Sequence, residues 1–199
     1  MSLRRGFKKE ANSYAREFRT ELGLRAYDPL CPWQLAAHLE VPVVPLSQMQ
    51  DEVAVHHLHY LMERDRQCFS AVTVFRGYRR MIVHNDAHSK NRQASNISHE
   101  LSHAILQHPP MEPFGDYGCR NFNKTLEDEA NWLGPALLIS EEAALHIVEN
   151  GMTVPQAVEH YGVTKEVVTM RLNVTGAHKR ITARRKTGWR GIGRSATRN

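Results

Sequence analysis

A stretch of 14 residues, SNISHELSHAILQH at positions 95–108, restricts this chain more than any other part of its sequence. Its apolar residues recur at intervals of three or four positions, which is the spacing of an amphipathic α-helix with one buried face. On another face, His99 and His103 lie one helical turn apart, so both imidazoles can point at the same ion. The sequence therefore predicts a helix from about residue 88 to 107 that carries a histidine pair beside the core.

The histidine pair and the glutamate inside it together form a His-Glu-x-x-His pattern. Nitrogen ligands suit zinc, which usually has about four ligands in a tetrahedral arrangement. Glu100 is rotated away from the pair by one residue step, so it can face a zinc-bound water without binding the metal. This pattern is typical of zinc hydrolases, in which the glutamate is the general base. We therefore predict His99 and His103 as zinc ligands and Glu100 as the catalytic base, against the alternative of two histidines on an ordinary polar helix face.

A two-histidine site needs a further protein ligand. The metzincin extension of the motif is excluded, because it requires glycine and histidine where this chain has Leu106 and Pro109. The remaining common solution is a carboxylate from a following helix. The segment TLEDEANWLGPALLIS predicts such a helix, and Glu129 lies about 70° from the centre of its apolar stripe, with Glu127 about 90° away on the other side. The helical pattern alone leaves both carboxylates open.

The rest of the chain predicts an α+β protein. Apolar residues at helical spacing predict a helix over residues 8–22 and a second, short helix within DPLCPWQLAAHLEV. Four segments rich in β-branched and aromatic residues are predicted to form three or four strands of a small, mostly antiparallel sheet, and the third and fourth segments are predicted to form a hairpin near Gly77. The four segments are VPVVPL, EVAVHHLHYL, CFSAVTVFRG and RRMIVHN.

The order of three motifs, MIVHN, SNISHELSHAILQH and EDEANWLGPALLIS, resembles the ImmA/IrrE family of metallo-endopeptidases. The resemblance covers roughly residues 10–175. It implies a minimal zincin fold of the gluzincin type, in which a small sheet packs on the motif helix and a later helix supplies the third ligand. By matching position it implies zinc ligation by His99 and His103, a general-base role for Glu100, and Glu129, the glutamate of Glu-Ala-Asn, as the third ligand in preference to Glu127.

The chain departs from that family after the Glu-Ala-Asn motif. Gly134 and Pro135 fall inside the predicted helix, and Pro135 removes a backbone hydrogen bond and should kink it beyond Glu129. Ser140 replaces the family's terminal proline and is expected to cap a following helix. Neither change removes a predicted ligand.

The resemblance also implies a function. It predicts a zinc-dependent endopeptidase that cleaves a partner transcription repressor of the helix-turn-helix kind, and so induces genes under stress or in a mobile element. The alternative is a DNA-associated or protein-binding regulator whose zinc site is structural or vestigial. The intact Glu100 favours catalysis, because a purely structural zinc site needs no general base.

Three regions are expected along the chain. Residues 1–139 are predicted as a zincin-like protease core, and residues 140–176 as a helical part of the same domain that resembles a helix-turn-helix. Residues 177–199 are predicted as a disordered tail, because they hold eight lysines and arginines and no acid. Such a tail either contacts nucleic acid weakly through phosphates or is simply solvated.

The composition predicts a cytoplasmic protein without membrane contact. No apolar run approaches the roughly 20 residues that span a bilayer, and the first residues carry charge without the apolar stretch of a secretory signal. The three cysteines are odd in number and widely spaced, which does not indicate a disulfide framework.

Overall fold

The computed structural model of the protein describes residues 3–64, 68–77, 79–109 and 123–192. The helices and strands follow in this order: α1 (Phe7–Glu21), α2 (Pro32–His38), β1 (Val43–Pro45), a 3₁₀ turn (Leu46–Gln48), α3 (Val55–His59) continued by a π-helical turn (Tyr60–Arg64), β2 (Ala71–Arg76), β3 (Arg79–His84), α4 (Lys90–Ile105), α5 (Lys124–Leu138), α6 (Glu141–Glu149), α7 (Val154–Tyr161), α8 (Lys165–Thr175) and α9 (Ala177–Ile192). The predicted α+β class is confirmed. No helix in these ranges is long and apolar enough to cross a membrane.

The described strands form a mixed sheet in the order β1-β3-β2. β3 pairs in parallel with β1 and antiparallel with β2, and Thr73 of β2 lies opposite Ile82 of β3. The predicted hairpin is confirmed, and Gly77 takes the left-handed backbone conformation (φ 62°) that its tight turn needs. Within the described residues, β2 is therefore an edge strand with one side open.

The segment EVAVHHLHYL was interpreted as a strand, and this interpretation is wrong, because the segment contains all of α3 and the start of the π-helical turn. The physical reason is the position of its apolar side chains. Leu58 is buried in a small cluster with Leu46 and Val83, and Leu61 and Met62 pack against the same cluster. Intervals of three and four residues between these side chains suit one face of a helix.

The N-terminal core forms where α4 meets α5, with α1 and α2 packed around them. Ile97 and Leu101 of α4 and Leu133 of α5 have no exposed surface. Gly134 allows the closest approach of the two helices, because a Cβ atom there would lie 3.2 Å from both the Cα and the N of His99. The side chain of Ser98 also donates a 2.9 Å hydrogen bond to the carbonyl of Gly134. A glycine inside α5 thus seats it against the backbone of the histidine-bearing helix.

The C-terminal end of α5 continues into a second core. Pro135 lies inside α5, yet the helix runs on to Leu138. Ser140 then caps α6, since its hydroxyl accepts a 2.9 Å hydrogen bond from the Ala143 amide, as the sequence predicted. α7, the turn at Gly162 and α8 form the predicted helix-turn-helix arrangement, and buried residues of α6 to α9 share one apolar cluster.

Residues 177–192 were predicted as part of a disordered tail, and this prediction is wrong because they form α9. Ala177 and Ile181 lie one turn apart and are both buried in the second core. Burial of this short apolar face stabilises a helix that its many charges alone would not specify. The last part of the predicted tail, residues 193–199, lies outside the described residues.

Two buried arginines join the two cores. Arg19 of α1 donates a 3.1 Å hydrogen bond to the carbonyl of Leu138, and Arg171 of α8 donates one of 2.8 Å to the carbonyl of Ile139. Both side chains are almost completely buried, at 0% and 1% exposure, and burial lowers the pKa of each to about 10. The guanidinium groups therefore satisfy backbone carbonyls at the end of α5 that have no further helical turn to bond to.

Candidate metal centre

The helix α4 presents His99 and His103 on the same side, as predicted. Its start is fixed by Ser89, whose side chain accepts a hydrogen bond from the backbone of Arg92. The Nε2 atoms of the two histidines are 3.2 Å apart, and the rings stand nearly edge to face. Two nitrogen donors thus converge on one point outside the helix.

The carboxylate that joins them comes from the first turn of α5. The two oxygens of Glu127 lie 3.4 Å from Nε2 of His99 and 3.5 Å from Nε2 of His103. Asn123 caps this helix end by accepting from the amides of Thr125 and Leu126. The first turn is also where the helix dipole favours a negative charge.

The donor set fits a tetrahedral metal. Zinc bonds to histidine nitrogen and carboxylate oxygen are about 2.0–2.2 Å long, which puts neighbouring ligand atoms of a tetrahedron roughly 3.3–3.5 Å apart. The two histidine nitrogens are 3.2 Å apart, close to that spacing, and one oxygen of Glu127 lies 3.4 Å from His99 while its other oxygen lies 3.5 Å from His103. Within the described ranges, His99, His103 and Glu127 are the one group of His, Cys, Asp or Glu side chains found close enough to hold a metal ion.

Glu129, which the family resemblance implied as the third ligand, is not brought to the histidine pair, and its assignment needs correction. Its carboxylate faces the other way, where Arg4 Nε lies 2.9 Å from Oε1 and His108 Nε2 lies 3.5 Å from Oε2. The physical reason is the side of α5 that faces α4. Glu127 and Gly134 are seven residues apart and share that side, whereas Glu129 is turned toward Arg4, before the start of α1, and toward His108, after the end of α4.

The protonation states of two of the three donors, His103 and Glu127, suit metal binding. Burial, together with the neighbouring His99, lowers the pKa of His103 to about 4, so this ring is neutral near pH 7. Contact with His99 lowers the pKa of Glu127, which is therefore ionised. For His99, burial opposes the proton, but hydrogen bonding to Glu127 and the charge of Glu100 outweigh burial and the pKa is raised. Metal ligands must be deprotonated, so a proton competes with a metal ion for His99 more strongly than for His103.

Glu100 lies beside the three donors without belonging to their group. Its Oε2 accepts a 2.6 Å hydrogen bond from the hydroxyl of Thr73 on β2. Burial raises the pKa of Glu100, and the bond from Thr73 opposes that shift. A carboxylate that is oriented and more basic than usual matches the general-base role predicted for it.

Two residues near the site, Thr73 and His108, were not predicted from the sequence to contact the motif residues. Thr73 could have been suspected only from the packing of β2 on α4. The ring of His108 lies behind His103, with Nδ1 2.9 Å from Nδ1 of that residue.

The sequence was also compared with known proteins. A family model described as the IrrE N-terminal-like domain, Peptidase_M78, matches residues 36–173. The match covers more than two thirds of the chain, including both helices of the site, and it agrees with the resemblance that the motifs carry. No curated protein matches the chain.

Proposed function

We propose that this chain, which belongs to the peptidase M78 family, is a zinc-dependent endopeptidase with His99, His103 and Glu127 as metal ligands and Glu100 as general base. The observation that carries the proposal is the convergence of two imidazoles and one carboxylate within 3.2–3.5 Å of one another. The second carboxylate, Glu100, stands next to this group and is held by a different partner. A binding site alone would need the first three side chains but not the fourth.

The chemistry follows from the positions of these side chains. A bound zinc ion supplies a Lewis acid for the scissile carbonyl and lowers the pKa of the attacking water. Glu100 accepts the proton of that water as the new C–O bond forms. It then gives the proton to the amide nitrogen as the C–N bond breaks, so no proton is consumed overall. Thr73 donates to Oε2 of Glu100 and thereby orients the carboxylate during both transfers.

The edge strand β2 is the proposed place for the substrate backbone. β2 bonds to β3 on one side only among the described strands, and its Thr73 contacts Glu100 directly. An extended peptide can add to such an edge through main-chain hydrogen bonds, which give affinity with little dependence on sequence. A peptide added at Thr73 would run beside the general base.

The substrate class is inferred from the family resemblance rather than from the site. We propose a transcription repressor of the helix-turn-helix kind as the protein partner, cleaved in the cytoplasm to induce genes under stress or in a mobile element. An open strand edge accepts an extended segment, so the cleaved bond is expected in a linker or loop of the repressor. The site residues do not specify side chains on either side of that bond.

A DNA-associated regulator is the second candidate function, and α9 is the observation that favours it. Exposed basic side chains of this helix, including Lys179 and Lys186, could make weak contacts to phosphates. Against base reading by the helix-turn-helix part, Arg171 of α8 is buried and bonded to the Ile139 carbonyl. The presence of Glu100 beside the donors favours the peptidase.

The test compares cleavage and zinc content in matched variants. The purified protein is loaded with zinc, incubated with a peptide library made from a cellular proteome, and the new N-termini are counted by mass spectrometry. Glu100→Gln should keep zinc, because Glu100 is outside the donor group, but cleavage should fall about 10²- to 10⁴-fold, as expected when a general base is lost. Glu127→Gln should lose zinc and cleavage together. Glu159→Gln, on an exposed position of α7, is the control and should change neither.

Two outcomes would contradict the proposal. Undiminished cleavage by Glu100→Gln would exclude its role as general base. Equal, near-zero zinc in the unmodified protein and in His99→Ala would exclude the metal site, and cleavage would then need another explanation.

A further inference from the structure

The end of α4 folds His108 back against His103. The amide of His108 donates a 3.0 Å bond to the carbonyl of His103, and the amide of Gln107 donates a 3.1 Å bond to that of Ala104. Gln107 takes a left-handed conformation (φ 53°). This pair of bonds and this conformation define a Schellman motif, in which the residues at the two ends of the longer bond usually make an apolar contact. Here both ends are histidines, and their rings meet at Nδ1.

We propose that His108 and Glu129 form a relay that fixes the orientation and tautomer of the ligand His103. The Nδ1 atoms of His103 and His108 are 2.9 Å apart, and Nε2 of His108 faces the Glu129 carboxylate at 3.5 Å. Both residues are positioning residues, since neither reaches the donor group. The inference rests on the proposed metal site and assigns a role to the carboxylate that the site leaves unused.

The positions of the protons follow from these contacts. A nitrogen that binds metal carries no proton, so His103 must hold its proton on Nδ1 if its Nε2 is a ligand. That N–H then donates to Nδ1 of His108, which leaves the proton of His108 on Nε2, toward Glu129. In the opposite tautomer, the lone pair of His108 Nε2 would face a carboxylate and the proton of His103 would block its ligand atom. The negative charge of Glu129 therefore selects the tautomer that metal binding requires.

The relay is buried and anchored at its far end. His108 and Glu129 are 7% and 4% exposed, so water cannot readily replace either contact. Nε2 of His108 is a buried atom that has no hydrogen-bond partner in the part of the chain that the structure describes, and the Glu129 carboxylate lies 3.5 Å from it. A buried N–H without an acceptor is costly, so the carboxylate is its natural partner. Arg4 donates to Glu129 at 2.9 Å and keeps the carboxylate in place.

His108 is not itself a fourth metal ligand in this arrangement. His99 and Glu127 approach His103 at Nε2, whereas His108 approaches it at Nδ1, on the other side of the ring. Partners that hold the second nitrogen of a ligating histidine are common in metal sites, and their loss typically weakens metal binding about 10- to 100-fold. A histidine–carboxylate pair in that position would be a longer version of the usual single partner.

The test measures zinc affinity by competition with a chromophoric chelator, in the full-length protein. His108→Leu should weaken zinc binding about 10- to 100-fold. His108→Asn should recover part of this loss, because an asparagine oxygen can accept from Nδ1 of His103. Glu129→Gln should weaken binding in the same direction. Asp128→Asn is the matched control, since Asp128 is a buried carboxylate of the same helix that pairs with Lys124, and it should leave zinc affinity unchanged.

A second readout is the tautomer of His108. Long-range ¹H–¹⁵N correlation spectra of the unmodified, zinc-loaded protein should place the proton of His108 on Nε2. A proton on Nδ1 of His108 would overturn the relay, and so would zinc affinities of His108→Leu and Glu129→Gln equal to that of Asp128→Asn. If His108→Leu does not fold, this spectrum and Glu129→Gln decide. Failure of the unmodified protein to bind zinc would instead overturn the proposed function, and the relay with it.

Discussion

Replacement of Gly134 by alanine measures how closely α5 must approach the backbone of α4. The added Cβ would lie 3.2 Å from the Cα and N of His99 and 3.3 Å from the carbonyl carbon of Ser98. Ordinary contacts of a Cβ atom begin at 3.4 Å, so the neighbour must retreat by a few tenths of an ångström. All three atoms belong to the backbone of the motif helix, so the retreat requires His99 itself to move.

The size of the effect follows from two opposing terms. Alanine is favoured over glycine inside a helix by about 1 kcal/mol. Overpacking a tight contact between rigid elements costs about 1–3 kcal/mol. The free energy of unfolding should therefore fall by about 0–2 kcal/mol instead of rising. Because the same movement displaces His99, a proposed ligand, zinc affinity should also fall, by up to roughly tenfold.

Two measurements check this prediction. Urea unfolding in the presence of a chelator gives the stability without the contribution of metal, and chelator competition gives the zinc affinity. Thr125→Ala, an exposed position of the same helix, is the control and should change stability by less than about 0.5 kcal/mol. A Gly134→Ala protein that is about 1 kcal/mol more stable and binds zinc normally would refute the close contact that seats α5 on α4.

Two further predictions concern stability. Removal of residues 177–199 should lower the free energy of unfolding by about 2 kcal/mol, since burial of Ile181 alone is worth about 1.5–3 kcal/mol. Truncation after Ile192 should change the free energy of unfolding little. Equal urea unfolding curves for the two truncated proteins would contradict the role of α9. Burial lowers the pKa of His84 below its ordinary value of 6.5. The unfolded chain therefore binds a proton more readily, and stability that is complete above pH 6.5 is lost as the pH falls below it. Unfolding curves at several pH values should show that His84→Gln loses less stability than the unmodified protein as the pH falls. An equal loss of stability in both proteins would exclude His84 as the cause.

Much of the fold could be predicted because the relevant segments have a clear apolar period. α1, the β2–β3 hairpin, α4 and α5 all show the spacing of their own structure type. α3 was missed because Val, Tyr and several histidines gave its segment a strand-like composition, while Leu58, Leu61 and Met62 carried a helical spacing that was overlooked. α9 was missed because only Ala177 and Ile181 mark its buried face, and whether a single apolar pair is buried depends on distant residues.

The site could be predicted in part for a similar reason. Local sequence decides that residues four apart on one helix lie together, so His99 and His103 needed no tertiary information. The third donor depends on which side of α5 faces α4, and both glutamates flank the apolar stripe at comparable angles. A signal was present in Gly134, which shares a helix face with Glu127. This signal could be recognised only once Gly134 was known to contact the backbone of α4, because the sequence alone suggested that it interrupts α5.

The paired guanidinium groups at the end of α5 bear on how such a chain could be recombined. Arg19 comes from the N-terminal part and Arg171 from the C-terminal part, yet they bond to neighbouring carbonyls, those of Leu138 and Ile139. A cut or fusion point at this place would leave a buried carbonyl or a buried arginine without its partner. The helix-turn-helix part therefore cannot be exchanged as an independent unit. Chimeras with related proteins should fold only when both arginines and the end of α5 are transferred together.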